Sequence, residues 1–120
     1  MLQVAWIKCG ETGNSWWSLS TVDLSNSHFN NLEGVYVIWH GGDKPRYVKV
    51  GQGIIKNRLA AHRTDPEIQT YANLGLYVTW AQVSTDDRDG VEAYLATRLN
   101  PLVGDRFPGS VQIAVNLPSD

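Results

Sequence analysis

A chain of 120 residues, 42% hydrophobic and 18% charged, has room for one domain with its own core, and its composition is not that of a disordered protein. It holds no apolar run approaching the ~18 to 20 residues of a membrane helix. A formal net charge of −2 and a single cysteine, Cys9, argue against a uniformly basic nucleic-acid binder and exclude an internal disulfide. Cys9 is read as a spectator in a reducing cytoplasm, the expected location, because Met1 to Lys8 has no basic segment followed by a long apolar run.

Residues 2–8 alternate weakly, as an extended lead-in would. Residues 10–33 are rich in Gly, Ser, Asn and Asp, which predicts loops with at most a short helical turn, anchored by Trp16 and Trp17. Gly34 to Trp39 is dense in β-branched and aromatic residues and reads as a strand. His40 to Pro45 is a turn-rich connector, and Arg46 to Gly51 a second strand, so an antiparallel hairpin is expected. Gly51-Gln52-Gly53 should break that strand. Ile55, Leu59 and Ala60 then recur at helical spacing up to Arg63. Thr64-Asp65-Pro66 reads as the start of another short helix running to about Tyr71. Leu76 to Val83 is a third strand. Thr85 or Asp86 should cap a helix to Leu99, ended by Pro101, and Val111 to Val115 reads as a last short strand. This order predicts an α+β fold, a single domain with a small central antiparallel β-sheet flanked by helices. Residues 1–33 form an N-terminal extension packed on a main unit, 34–120.

Charge is distributed unevenly. Lys44, Arg46, Lys49, Lys56, Arg58 and Arg63 lie between His40 and Arg63 against the single acid Asp43, a local +5; the other four cations face eleven acids, −7. Such a stretch suits a phosphate-facing patch, and equally a solvated face. No phosphate-binding glycine loop, His-Glu-x-x-His or Cys-x-x-Cys is present. Arg58 and His62, four apart, share one helical face. Tyr47 and Lys49, two apart, should project from one face of their strand. Glu92 sits at the rim of the Val91, Leu95, Leu99 stripe. Taken singly, each residue reads as packing or solvated surface; only their order and spacing point further.

That order resembles the GIY-YIG nuclease family from Gly34 to about Gly104. Gly34-Val35-Tyr36 is similar to the family's Gly-Ile-Tyr, and Lys49-Val50-Gly51 stands where the family has Tyr-Ile-Gly. Arg58 matches the helical arginine, His62 the position one turn on, and Glu92 the metal-binding glutamate. Leu99-Asn100-Pro101-Leu102 resembles the stretch leading to a late Pro-x-x-Asn. Two positions depart: Lys49 replaces the second tyrosine, as in a phage-associated branch, and Gly104 replaces the asparagine, leaving Asn100 or Asn116 as substitutes.

The resemblance implies a GIY-YIG-like nuclease domain over 34–120 and a metal-dependent endonuclease that hydrolyses nucleic-acid phosphodiester bonds, with DNA the expected substrate. Glu92 would hold one Mg²⁺ or Mn²⁺. Arg58 would clamp the phosphate. Tyr36 or Tyr47 would act as base with a pKa lowered by the cations, Lys49 being the other candidate and otherwise a phosphate contact. His62 would assist proton transfer or hold the tyrosine. Lys44, Arg46, Lys56 and Arg63 would bind nucleic acid. Since the family borrows specificity from attached domains, and residues 1–33 are too short to read a sequence, a homodimer or an attached specificity partner is implied, and no membrane partner. A catalytically inactive nucleic-acid-binding module on the same fold is the alternative. A protein-interaction domain using Trp16, Trp17, Trp39 and Trp80 is a third reading.

Overall fold

The computed structural model describes residues 1–8, 16–104 and 110–118; Cys9 lies outside them. The elements are β1 (Trp17–Ser18), β2 (Glu33–His40), β3 (Arg46–Ile54), α1 (Ile55–His62), α2 (Pro66–Gln69), β4 (Leu76–Gln82) and α3 (Thr85–Leu99). The four strands form one antiparallel sheet in the order β1-β4-β2-β3. The fold is α+β.

β2 is central and covered on both sides, which is why its sequence is apolar almost without alternation. On one face, Tyr36, Ile38, Val48, Val78 and Trp80 pack with Ile55 and Leu59 of α1, Ile68 of α2, and Leu19, Val22 and Phe29 from the chain before β2. On the other, Val35, Val37, Val50 and Ala81 pack with Val91 and Leu95 of α3 and with Val115. The result is three layers, with α1 and α2 on one side of the sheet and α3 on the other. Each fully buried aliphatic side chain contributes about 1.5–3 kcal/mol.

Local signals explain the helix limits. Asp65 Oδ1 accepts from the Glu67 amide and Pro66 takes the first helical position of α2. Asp86 and Asp87 occupy the first turn of α3, where the helix dipole favours negative charge. α3 ends at Asn100, left-handed at φ 48°, with Pro101 after it.

Five sequence expectations need correction. β3 does not stop at Gly51; it runs on to Ile54 because Gly51 and Gly53 pair with Tyr36 and Gly34 of β2. β1, read as loop, adds to β4 as a two-residue strand. α2 is shorter than expected, giving way to a 3-10 turn at Ala72–Leu74. Ser84, one residue before the expected cap, is the N-cap of α3. Val111 to Val115 is not a strand: the Ile113 amide donates to Gly90 O of α3 and only a single parallel bridge links Val115 to Leu2. That last segment forms a strap over α3, fastened by Asn116, whose side chain accepts from the Val4 amide (2.8 Å) and donates to the Val4 carbonyl (3.0 Å).

Candidate active site

β3 is the outermost strand on its side. The segment after α3 covers its outer edge at one end, where the Leu102 and Val103 amides donate to Tyr47 O and Val48 O (3.0 and 2.8 Å). At the other end lie Gly51, Gln52 and Gly53, and functional side chains gather round these three from both faces of the sheet.

On the α1 side, the Tyr36 ring crosses β3 directly over Gly51. A Cβ at position 51 would stand 2.1 Å from the Tyr36 hydroxyl, so only glycine lets the phenol reach the strand edge. Its Oη lies 2.5 Å from His62 Nε2 of α1. The stem of Arg58 lies beside Gly53, with Cγ and Cδ each 3.4 Å from where a Cβ would be, and Gly53 has φ +130°, a conformation that favours glycine. Lys49 shares this face, paired with Ile38. On the α3 side, Gln52 Nε2 donates to Glu92 Oε1 (2.9 Å) and to Asp89 Oδ1 (2.6 Å).

The charges bear on one another. Burial pushes the Glu92 carboxyl up; the Gln52 hydrogen bond, Lys49 and Arg58 pull it down, and Asp89 raises it further. Burial pushes His62 down to about 4, assisted by the Arg58 and Lys49 cations and opposed by Asp65. His62 is therefore a neutral imidazole at neutral pH. Its Nδ1 is buried without a hydrogen-bond partner, and the nearest carboxylate, Asp65, is 3.8 Å away. That carboxylate favours the tautomer protonated at Nδ1, so Nε2 is assigned as the acceptor and the Tyr36 hydroxyl as the donor. Burial raises the Tyr36 pKa, partly countered by Arg58. This corrects the expectation of a lowered phenol: desolvation outweighs the cations.

Tyr36, Lys49, Arg58, His62 and Glu92 thus come together around the edge of β3. The other expected residues lie elsewhere. Tyr47 was expected beside Lys49, but β3 is irregular opposite Ile38 and Trp39, so that Lys49 pairs with Ile38 while Tyr47 pairs with Trp39. The extra residue, Val48, turns Tyr47 onto the α3 face, where it packs with that core. Arg46 is at the opposite end of β3, and Lys44 precedes it in the turn. Lys56 lines a separate groove with Glu33, Ile54 and Asn57. Arg63 donates to the carbonyls of Leu19 (2.7 Å) and Val22, tying α1 to the chain before β2. Asn116 is engaged with Val4 and Asn100 caps α3, so neither supplies an asparagine here. Three participants were not anticipated: Gln52, Asp89 and Asp65. Asp89 precedes Glu92 by three residues, a same-face helical spacing that the sequence does carry.

Among the described residues no group of three His, Cys, Asp or Glu side chains converges as a cation cage. The donor set is one half-buried carboxylate held by an amide, with a second carboxylate on the same helix turn. That suits a hard divalent cation that keeps most of its waters, such as Mg²⁺, rather than a soft metal. No family model, no curated protein and no solved structure matches the chain.

Proposed function

We propose that the chain is a metal-dependent endonuclease that hydrolyses phosphodiester bonds in nucleic acid, with DNA the expected substrate. The observation that carries this reading is that Tyr36, Arg58, His62 and Lys49 on the α1 side and Glu92 on the α3 side flank the same stretch of strand edge, Gly51–Gly53, near enough for the Lys49 and Arg58 charges to act on the Glu92 carboxyl. Their order in the chain resembles the GIY-YIG pattern, with Lys49 and Gly104 departing from it.

Glu92, steadied by Gln52, would hold one divalent cation, which supplies charge stabilisation at the phosphate and the leaving oxygen. Arg58 offers a planar, permanently charged fork to a non-bridging phosphate oxygen. Lys49 adds a second cation on the same side. Tyr36 is fully buried and directs its own proton to His62 Nε2, so its remaining hydroxyl lone pair would meet a water only once the strand edge opens to substrate. A water admitted there with the substrate would pass its proton to Tyr36 Oη as Tyr36 passes one to His62. With a His62 pKa near 4, storing that proton at pH 7 costs about 4 kcal/mol in the free protein. His62 is therefore a transient proton acceptor and not a standing cation for phosphate.

The reading is tested by incubating the protein and Glu92→Gln with supercoiled plasmid and Mg²⁺ or Mn²⁺. Nicking by the native chain and its loss in the variant are expected; no nicking on any DNA or RNA substrate refutes hydrolysis, and equal nicking by both removes Glu92 from the site. A binding module on the same fold is the second reading. Lys49 in place of a tyrosine, with Tyr47 on the other face, favours it, since Tyr36 is then the lone phenol at the edge. It expects salt-dependent binding with no metal requirement.

A further inference from the structure

Trp16, Trp39, Pro45, Arg46, Tyr47 and Pro118 line an open cavity of about 240 Å³ at the end of β3 away from Gly51. We infer that this groove is a stacking site for an unpaired base of single-stranded nucleic acid, whose phosphate Arg46 receives. The inference rests on the nuclease reading for its substrate class and extends it to strand state.

The walls are aromatic and only half-buried. Trp39 and Tyr47 face each other across the β2–β3 ladder, placed there by the irregularity at Val48. Trp16 stands edge-on to Trp39 at 5.1 Å between centroids, and Tyr77 stacks on the same indole at 6.0 Å and 26°. These contacts fix the Trp39 plane while the cavity leaves room beside it for a flat heterocycle. One cation, Arg46, lines the cavity; Lys8, with Nζ 4.9 Å from the Trp16 ring centre, lines the neighbouring groove, and Lys44 lies two residues before Arg46 beside Asp43. Fixed aromatic faces with a guanidinium at their edge are what base stacking and phosphate capture require together. A proline-rich peptide also seeks aromatic grooves, but it has no use for the Arg46 guanidinium. Paired bases present only their edges to a protein, so the occupant must be unpaired. Tyr47 is four residues from Gly51 along β3, about 13 Å, a span of a few nucleotides. A strand with its scissile phosphate at Gly51–Gly53 would pass over the Leu102–Val103 segment that covers the β3 edge at Tyr47 and Val48 to seat a nearby base in the groove, favouring flaps, loops or gapped substrates over continuous duplex.

The test uses the full chain carrying Glu92→Gln, in chelator, with fluorescence anisotropy of labelled oligo(dT) and of a duplex of equal length. Tighter binding of oligo(dT) is expected, weakened at least about fivefold by Trp39→Leu and comparably by Arg46→Glu. Arg46 is exposed, so its variant keeps the test decisive if Trp39→Leu fails to fold. Affinity unchanged by Arg46→Glu, preference for duplex, or binding of a proline-rich peptide without oligo(dT) would overturn the inference. Plasmid nicking is read separately on the native chain. Arg46-dependent oligo(dT) binding without nicking removes the nuclease reading alone, and nicking without it removes the groove alone.

Discussion

The His62–Tyr36 pair gives stability a pH dependence that can be worked out in advance. His62 is 5% exposed and titrates at about 4 in the folded protein, against 6.5 for an ordinary histidine. A lowered pKa means that the unfolded chain binds the proton first as pH falls. The associated stability is whole above pH 6.5 and is lost as pH falls toward 4. Between pH 8 and pH 4.5 these two values give a loss of about 2.5 kcal/mol from this one group. Other groups titrate in the same window, Glu92 with the opposite sign because its pKa is raised, so the native chain should be compared with His62→Gln. Glutamine carries no proton to gain, while the remaining groups contribute nearly equally to both proteins. Urea unfolding at the two pH values should show the native chain losing about 2.5 kcal/mol more than the variant, although the variant starts about 1 kcal/mol lower for its altered hydrogen bond to Tyr36. Parallel pH profiles, or an imidazole resonance of His62 that titrates near 6.5, would refute the burial and cation argument.

Other perturbations separate the site from its scaffold. Gly51→Ala would drive a methyl into the Tyr36 hydroxyl; about 1–3 kcal/mol of stability and the nicking activity should go together, read by thermal unfolding and plasmid assay. Arg58→Lys, which keeps charge but not the fork, should slow nicking at least about tenfold with unfolding midpoint unchanged. Leu95→Ala in the α3 core should cost about 2–5 kcal/mol in urea without altering the His62 resonance. Asn116→Ala should cost about 1–3 kcal/mol by releasing the strap from Val4, and hydrogen exchange should rise at the Val4 amide.

Much of this architecture was legible because the chain's periodicities are strong. β2 and β4 are written in β-branched and aromatic residues, α1 in the Ile55–Leu59 spacing, α2 in Asp65-Pro66. The parts that escaped are set by distant partners. Two residues of β1 cannot announce a strand; β4 makes them one by supplying a ladder. Gly51-Gln52-Gly53 has the composition of a break, and stays extended because β2 pairs with it to the end. A single extra residue at Val48 reversed the face assigned to Tyr47, and a period of two cannot reveal such a residue. Of the site, Tyr36, Lys49, Arg58, His62 and Glu92 were singled out by order in the chain. Gln52 escaped because its role, bridging Asp89 and Glu92 at the strand edge, exists only once α3 packs on β3. Arg63 looked like a phosphate ligand by charge alone, while its guanidinium is spent on two backbone carbonyls.

Paramagnetic broadening by Mn²⁺ tests the central claim most directly, because it locates a cation without requiring turnover. Substoichiometric Mn²⁺ added to the ¹⁵N-labelled chain should bleach the amides of Gly51, Gln52, Gly53 and Glu92 first, and Glu92→Gln should restore them. Broadening centred elsewhere, or equal in the two proteins, would contradict a cation site at the edge of β3.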